Sequence, residues 1–323
     1  MGSLDLPDQP DGPRRAEHAG EGGADRIVPK SCDMPDPDER GRVYEAMRAH
    51  TSAETPEEAS PGQRPDNGEQ RCYWDEVPRF RQMWEDHERR WPERQRAADT
   101  DHPADLPGTY CSKGGFKLDP ERHTETVEAI GRIRKAEPSI SADMQAVEKE
   151  NTCGGWLAGF DRRIKGDDRL KEKVAEELKA EQLNAEPRKT ATQALCEIPD
   201  AIRFTSCFEP ENYTRGYYDI RERLESRGYE MYESRNSWDK EQYKGINTRW
   251  INQYGQRFEV QFHTPESFHA KEDITHRAYE RIRNPMITDR ERKELREFQR
   301  EVSQAISIPD GAMDIPDFKK EGF

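Results

Sequence analysis

Residues Gly255 to Glu280 read GQRFEVQFHTPESFHAKEDITHRAYE. The first half alternates as a strand should: Phe258, Val260 and Phe262 point one way, and Glu259, Gln261 and His263 the other. The apolar face belongs on a core, so the opposite face lines up a carboxylate, an amide and an imidazole. The stretch CEIPDAIRF sets a second carboxylate, Asp200, just ahead of another apolar strand. An unpaired carboxylate near a sheet core is costly, and it tends to persist where it binds a cation or a basic partner. Two carboxylates on neighbouring strands suit Mg²⁺, which takes one or two carboxylates plus phosphate oxygens and water. The spacing alone equally allows Glu259 to face solvent or to pair with an Arg on the next strand.

Basic residues gather elsewhere. In GFDRRIKGDDRLKEKV, Arg162, Arg163, Lys165 and Lys173 converge on a turn and a helix start. Backbone N–H groups and the helix dipole favour anions there, so the cluster reads as a polyphosphate cradle or as an ordinary solvated basic turn. The aspartates at 167 and 168 weaken a purely electrostatic anion site. In NSWDKEQYKGINTRW, Trp238, Tyr243, Lys244 and Gly245 lead into a strand. They offer an aromatic platform and a cation for a nucleotide, or a hairpin loop with a buried aromatic. His263, His269 and His276 show no zinc-protease spacing, and no nucleophile elbow is visible.

The elements that must position these groups follow from periodicity. DPERHTETVEAIGRIRKAEP and SISADMQAVEKEN each read as a helix, and TCGGWLAG as a turn between elements. DDRLKEKVAEELKAEQL is a helix opened by acidic residues that suit its positive end. AIRFTSCF and YEMYES are strands on either side of the helix PENYTRGYYDIRERLESRG. INTRWINQ and QRFEVQFH form a hairpin turning near Gly255. PESFHAKEDITHRAYERIR begins a helix at Pro265, and TDRERKELREFQREVSQAI is a last charged helix. This order predicts an α+β fold: a mixed, mostly antiparallel sheet flanked by helices.

Four regions are expected. Residues 1–70, rich in Pro, Gly, Asp, Glu and Ser, bury too little apolar surface to offset their ordering entropy and read as a disordered acidic arm. Residues 71–117 are a helical and irregular extension, with Trp74, Phe80, Trp84 and Trp91 at rough helical spacing. Residues 118–285 form the main domain, and 286–323 the C-terminal helix and tail. The 323 residues carry 37 % charged and 32 % hydrophobic side chains and a net charge of −14, with a mean hydropathy of −1.21. Such a chain as a whole is not a basic nucleic-acid binder and no DNA partner is expected, although the charge leaves room for a local basic groove. No stretch is apolar enough to span a membrane, and the first residues lack a signal-peptide core. Six cysteines without a CxxC pair leave free thiols and bridges both open.

Taken in order, these segments resemble the synthetase domain of the RelA/SpoT-like family, a nucleotidyltransferase-type fold, over roughly residues 120–285. The likeness is greatest to diverged ATP:nucleotide 3′-pyrophosphokinases that act as secreted enzymes or toxin modules. RIKGDDRLKEKV is similar to the family's Arg-x-Lys motif followed by a helical Lys, which implies that Arg163, Lys165 and Lys173 hold ATP phosphates. IPDAIRFT resembles the strand with a Mg²⁺-binding Asp and a following Arg, which implies Asp200 as metal ligand and Arg203 as phosphate contact. YKGINTRWI resembles the acceptor loop and its strand, implying acceptor contacts from Tyr243, Lys244 and Asn247, joined by Gln261 and His263 from the next strand. FEVQFHT resembles the Glu-x-Gln strand, with Glu259 as second metal ligand or general base. Three departures point away from housekeeping alarmone synthesis. Ile246 follows Gly245 where the guanine-stacking Tyr stands, Arg169 replaces a Ser, and His263 replaces an Arg.

The resemblance implies transfer of the β,γ-pyrophosphate of ATP to the 3′-hydroxyl of a purine nucleotide, with Mg²⁺ as cofactor and AMP released. It also implies a growth-inhibiting toxin, secreted or delivered, and an immunity protein as partner. Two other readings compete: a toxin that pyrophosphorylates the 3′ end of tRNA, and a catalytically inactive nucleotide-binding regulatory module.

Overall fold

The computed structural model describes residues 72–92, 106–112, 115–184, 189–284 and 286–322. The expected disordered arm at 1–70 lies outside the described residues. Among the described residues helix α1 (Tyr73–Arg90) comes first and buries Tyr73, Trp74, Val77, Phe80 and His87. Of the aromatics at helical spacing in the sequence, Trp74 and Phe80 are buried, while Trp84 and Trp91 are half-buried. A two-stranded ribbon, β1 (Tyr110–Cys111) and β2 (Lys117–Leu118), follows.

Helix α2 (Pro120–Glu150) is one 31-residue element where the sequence predicts two. Asp119 caps it by accepting from the Arg122 amide at 2.9 Å, and Pro120 opens it. Pro138 sits inside, where it removes a backbone donor and costs about 3 kcal/mol in an isolated helix. Packing overrides that cost: Ile130 and Ile133 before it, and Ile140, Met144 and Val147 after it, are buried in one continuous core. β3 (Trp156–Leu157) precedes a single 3₁₀ turn at Phe160–Arg162. Helix α3 (Asp167–Asn184) and the short α4 (Ala191–Glu197) then lead to β4 (Arg203–Cys207). A capping box between Thr190 and Gln193 fixes the start of α4.

After helix α5 (Tyr213–Ser226) come β5 (Glu230–Asn236), β6 (Ile246–Ile251) and β7 (Arg257–His263). The β6–β7 turn closes where Gly255 adopts a φ of 81° and the Asn252 carboxamide accepts from the amides of Tyr254 and Gln256. The chain then runs through α6 (Pro265–His269), a π-turn at Ala270–Ile274, α7 (His276–Ile282), α8 (Asp289–Gln304) and β8 (Phe318–Lys319). The sequence predicts one helix from Pro265. The structure breaks it because both the amide and the hydroxyl of Thr275 reach back to the Ala270 carbonyl at 2.8 Å, an i→i+5 closure.

The six-stranded sheet has the order β3-β4-β7-β6-β5-β8. Only the β4–β7 pair is parallel, so the fold is α+β with a mixed, mostly antiparallel sheet flanked by helices, as predicted. One sheet face carries Phe204, Phe258, Val260, Phe262, Ile246 and Trp250, all buried in the core. Tyr217 of α5 meets Phe262 edge-on there, and Tyr229 meets Phe258. Register places Arg203, Glu259, Gln261, His263, Asn247, Arg249 and Glu233 on the other face. No described helix is long and apolar enough to cross a membrane. The five described cysteines are free thiols.

Candidate active site

Three backbone segments are stitched together at one end of the polar sheet face. Arg203 and Glu259 are direct partners in the parallel β4–β7 ladder, and the Glu259 amide donates to the Ile202 carbonyl at 2.9 Å. The turn before α3 is tied to the same place: the Lys165 amide donates to the Ala201 carbonyl and the Arg203 amide to the Arg163 carbonyl. Lys165, the Asp200–Arg203 segment and Glu259, three stretches far apart in sequence, therefore share one site.

Asp200 is gripped by two ammonium groups. Lys165 Nζ lies 2.9 Å from Oδ2 and Lys173 Nζ 2.6 Å from Oδ1. Burial works to raise the Asp200 carboxyl, but the two lysines overcome it and hold it at about 2. The arrangement is lopsided: Lys165 is itself pulled below its ordinary range by burial, against the attraction of Asp200.

Glu259 is in the opposite condition. Its side chain is 7 % exposed, and its described hydrogen bond comes from Gln261 Nε2 at 2.7 Å. Burial, followed by the charge of Asp200, pushes its carboxyl up, with Arg203, Lys165 and Lys271 pulling the other way. It does not face solvent, and among the described residues it forms no ion pair with an Arg, in contrast to both of the plainer expectations for the strand. Arg203 makes no side-chain hydrogen bond or ion pair among the described residues, although its charge is felt by Glu259, Lys165, Lys271 and Glu272.

Gln261 is oriented from the far side. Lys271, on the π-turn, donates to Gln261 Oε1 at 2.8 Å and to Glu272 Oε1 at 2.6 Å. An amide whose oxygen faces an ammonium must turn its NH₂ outward, here to Glu259. Glu272 also receives Arg162 at 3.1 Å. Burial opposes its ionisation, yet Lys271 and Arg162 hold it at about 2. Nothing local in the sequence singles out Lys271 and Glu272, because their direction is set by the π-turn and no local signal announces one.

The expected acceptor residues split into two groups. Tyr243 Oη lies 2.8 Å from Asn247 Oδ1 and 2.9 Å from His263 Nε2, and His263 Nδ1 lies 2.8 Å from Ser267 Oγ. Burial pushes the imidazole well below its ordinary pKa, so it is neutral with one N–H. One arrangement satisfies every group: Ser267 donates to Nδ1, Nε2–H donates to Tyr243, and Tyr243 donates to Asn247. His263 is fully buried and holds the loop from beneath. Lys244 donates to the Trp238 and Lys240 carbonyls at 2.8 and 2.7 Å and staples its own loop. Gly245 has a φ of 148°, and a Cβ there would meet the His263 ring and the Phe262 carbonyl at 2.9 Å. Of the residues expected to hold phosphates, Arg163 stands aside: its guanidinium is held by Glu137 and Ser141 of α2 and lies over the Phe160 ring. Arg169, at the departure from the family motif, pairs with Glu172.

Among the described residues no three metal-ligating side chains form a cluster. Asp200 and Glu259 are still two hard-oxygen donors at the same site; the two lysines compensate Asp200, while burial first and then the charge of Asp200 hold the Glu259 carboxyl above its ordinary range. That donor set fits a cation that takes two carboxylates and fills its remaining positions with phosphate oxygens and water.

No family model and no curated protein matches the chain. Solved structures that it resembles include small alarmone synthetases, a GTP pyrophosphokinase family protein and a type VI effector. The small alarmone synthetase 1 from Bacillus subtilis, bound to its product pppGpp, shares 11 % identity over 53 % of this chain and 88 % of that one, with a TM-score of 0.36. A GTP pyrophosphokinase family protein from Streptococcus pneumoniae shares 13 % identity over 58 % and 90 %, again at 0.36. The type VI effector Tas1, solved with its immunity protein, shares 20 % identity over 56 % and 96 %, at 0.38.

Proposed function

We propose that this protein is a nucleotide pyrophosphokinase, moving the β,γ-pyrophosphate of ATP onto the 3′-hydroxyl of a purine nucleotide and releasing AMP. The observation that carries this reading is the contrast between two neighbouring carboxylates. Asp200 is fully charge-compensated, while Glu259 is buried, has its pKa raised and lies within range of the unbonded Arg203. Two carboxylates pushed in opposite directions take different roles. Glu259 accepts the proton of the attacking hydroxyl, a step typically worth ~10²–10⁴-fold. Arg203, Lys165 and Lys173 bind the polyphosphate and offset the charge that develops on it. The 3′-oxygen attacks the β-phosphorus, the bond to the α–β bridging oxygen breaks, and AMP leaves. Asp200 and Glu259 would hold Mg²⁺, which when bound neutralises phosphate charge. Tyr243 and Asn247, seated on His263, form the wall beside which the acceptor enters.

The test is incubation with γ-labelled ATP, Mg²⁺ and a panel of nucleotides, resolved by chromatography. A labelled nucleotide and AMP in equal amounts is the expected result. ATP that stays intact with every acceptor, including tRNA, would sink the reading. Label released as free pyrophosphate would point to nucleotidyl transfer instead.

A further inference from the structure

A cavity of about 690 Å³ opens between α2, α4 and the β6–β7 hairpin. None of the side chains assigned to the active site lines it. Its floor includes Tyr229, whose ring meets Phe258 on the sheet face opposite Glu259. It therefore lies outside the site described above.

The lining divides by chemistry. Ala129, Ile133 and Ala136 of α2 and Leu195 of α4 make an apolar wall. Asn252, Gln253 and Gln256 of the hairpin bring amides, and Tyr254 stands 85 % exposed at the tip. Arg132, Lys135, Arg227 and Arg257 bring four cations against one carboxylate, Asp143, which already accepts from the Tyr229 hydroxyl at 2.6 Å. Arg227 is neutralised by Glu150, outside the lining. Arg132 bonds only the neutral Thr192, and Lys135 has no ion pair among the described residues. Two cationic charges, three residues apart on one helix, thus stand uncompensated in a chain of net charge −14.

We infer that this cavity is a second ligand site, for a mononucleotide. Its volume is that of a small-molecule pocket, which combines an apolar surface with a few convergent polar groups. The apolar wall takes a flat ring, the hairpin amides take the ring's polar edge, and Arg132 and Lys135 take the phosphate. The inference does not depend on the pyrophosphokinase reading.

Cys196 is an exposed thiol in the lining and serves as reporter. The full chain is alkylated with iodoacetamide, and the rate at Cys196 is followed by peptide mass spectrometry. AMP, adenosine and inorganic phosphate are added separately. AMP is expected to slow Cys196 several-fold while leaving the exposed Cys72 unchanged, with adenosine and phosphate each weaker than AMP. Protection is expected to persist in Asp200→Asn, which separates this site from the catalytic one. It is expected to vanish in the double variant Arg132→Glu, Lys135→Glu and in Ala136→Trp, which fills the cavity without altering charge. An unchanged Cys196 rate up to about 5 mM AMP, weaker than a millimolar site, would overturn the inference, as would protection that survives both variants. Phosphate protecting as well as AMP would overturn the nucleotide assignment.

Discussion

Arg249 and Glu259 stand directly opposite each other in the β6–β7 ladder, yet they do not pair: the guanidinium turns to Glu233 of β5. Arg235 joins it on the same carboxylate. The cross-strand cation that would have made Glu259 an ordinary buried ion pair is thus spent elsewhere, and Glu259 keeps its raised pKa. Removing its charge is expected to cost the proposed activity without costing stability. Glu259→Gln is expected to lose ~10²–10⁴ in turnover and to melt at or above the parent temperature, since it deletes a poorly compensated buried carboxylate. A melting temperature several degrees lower would contradict this account.

Asp200→Asn behaves differently. It too is expected to abolish the proposed transfer, but it strands Lys165 and Lys173 around a neutral amide. A loss of about 1 kcal/mol in denaturant unfolding is expected, below the figure for a fully buried pair because each partner keeps about a fifth of its side chain exposed.

Lys271 reaches Glu259 only through Gln261 and by its charge. Lys271→Met removes a cation that favours the ionised carboxylate, so the Glu259 pKa rises further. If ionised Glu259 is the base, the acidic limb of the pH–rate profile moves to higher pH, and Lys271→Arg restores part of the shift. A profile that falls in height without moving would assign Lys271 a purely structural part.

Arg203 has no side-chain partner among the described residues to lose. Arg203→Met is expected to leave the melting temperature within a degree or two, the scale of a neutral surface change. The ATP KM should rise at least about tenfold, the equivalent of one charge-assisted hydrogen bond. An unchanged KM would remove Arg203 from the phosphate site.

His269 couples the fold to pH. Its Nδ1 lies 2.8 Å from the Tyr73 hydroxyl of α1, while Nε2 is buried without a hydrogen bond. Burial lowers its pKa to about 4. The unfolded chain takes up a proton near pH 6.5 and the folded chain does not, so stability falls as pH drops from 6.5 to 4 and is flat below. The loss approaches about 3 kcal/mol at 1.36 kcal/mol per pKa unit. Urea unfolding of His269→Phe should show that slope reduced over this window.

The strand bearing Glu259 was legible because alternation of Phe258, Val260 and Phe262 survives any context, and the α+β architecture followed from element order. Asp200 and Lys165 were legible as residue types, and the backbone bonds around Ala201 and Ile202 explain why they meet. Pro138 misled because local propensity yields to a core that continues on both sides of it. The π-turn at Ala270 and the two-residue strands β3 and β8 carry no periodic signal, since each is created by a partner distant in sequence. For the same reason, nothing in the segment around Arg163 foretold that its guanidinium would go to Glu137 rather than join Lys165 and Lys173.

The two-residue strands at the ends of the sheet have a consequence beyond architecture. β8 covers Glu233 and Ser234, and Lys320 donates its amide to the Tyr232 carbonyl and its ammonium to Glu230. This short C-terminal tail works as a selvedge, the finished border that keeps a weave from taking on further threads. Cutting the chain after Asp317 would bare the backbone of β5 beside buried Tyr232 and leave a template for other chains. Self-association of the trimmed protein would then come from an unhemmed sheet, with the cluster around Glu259 and Asp200 untouched.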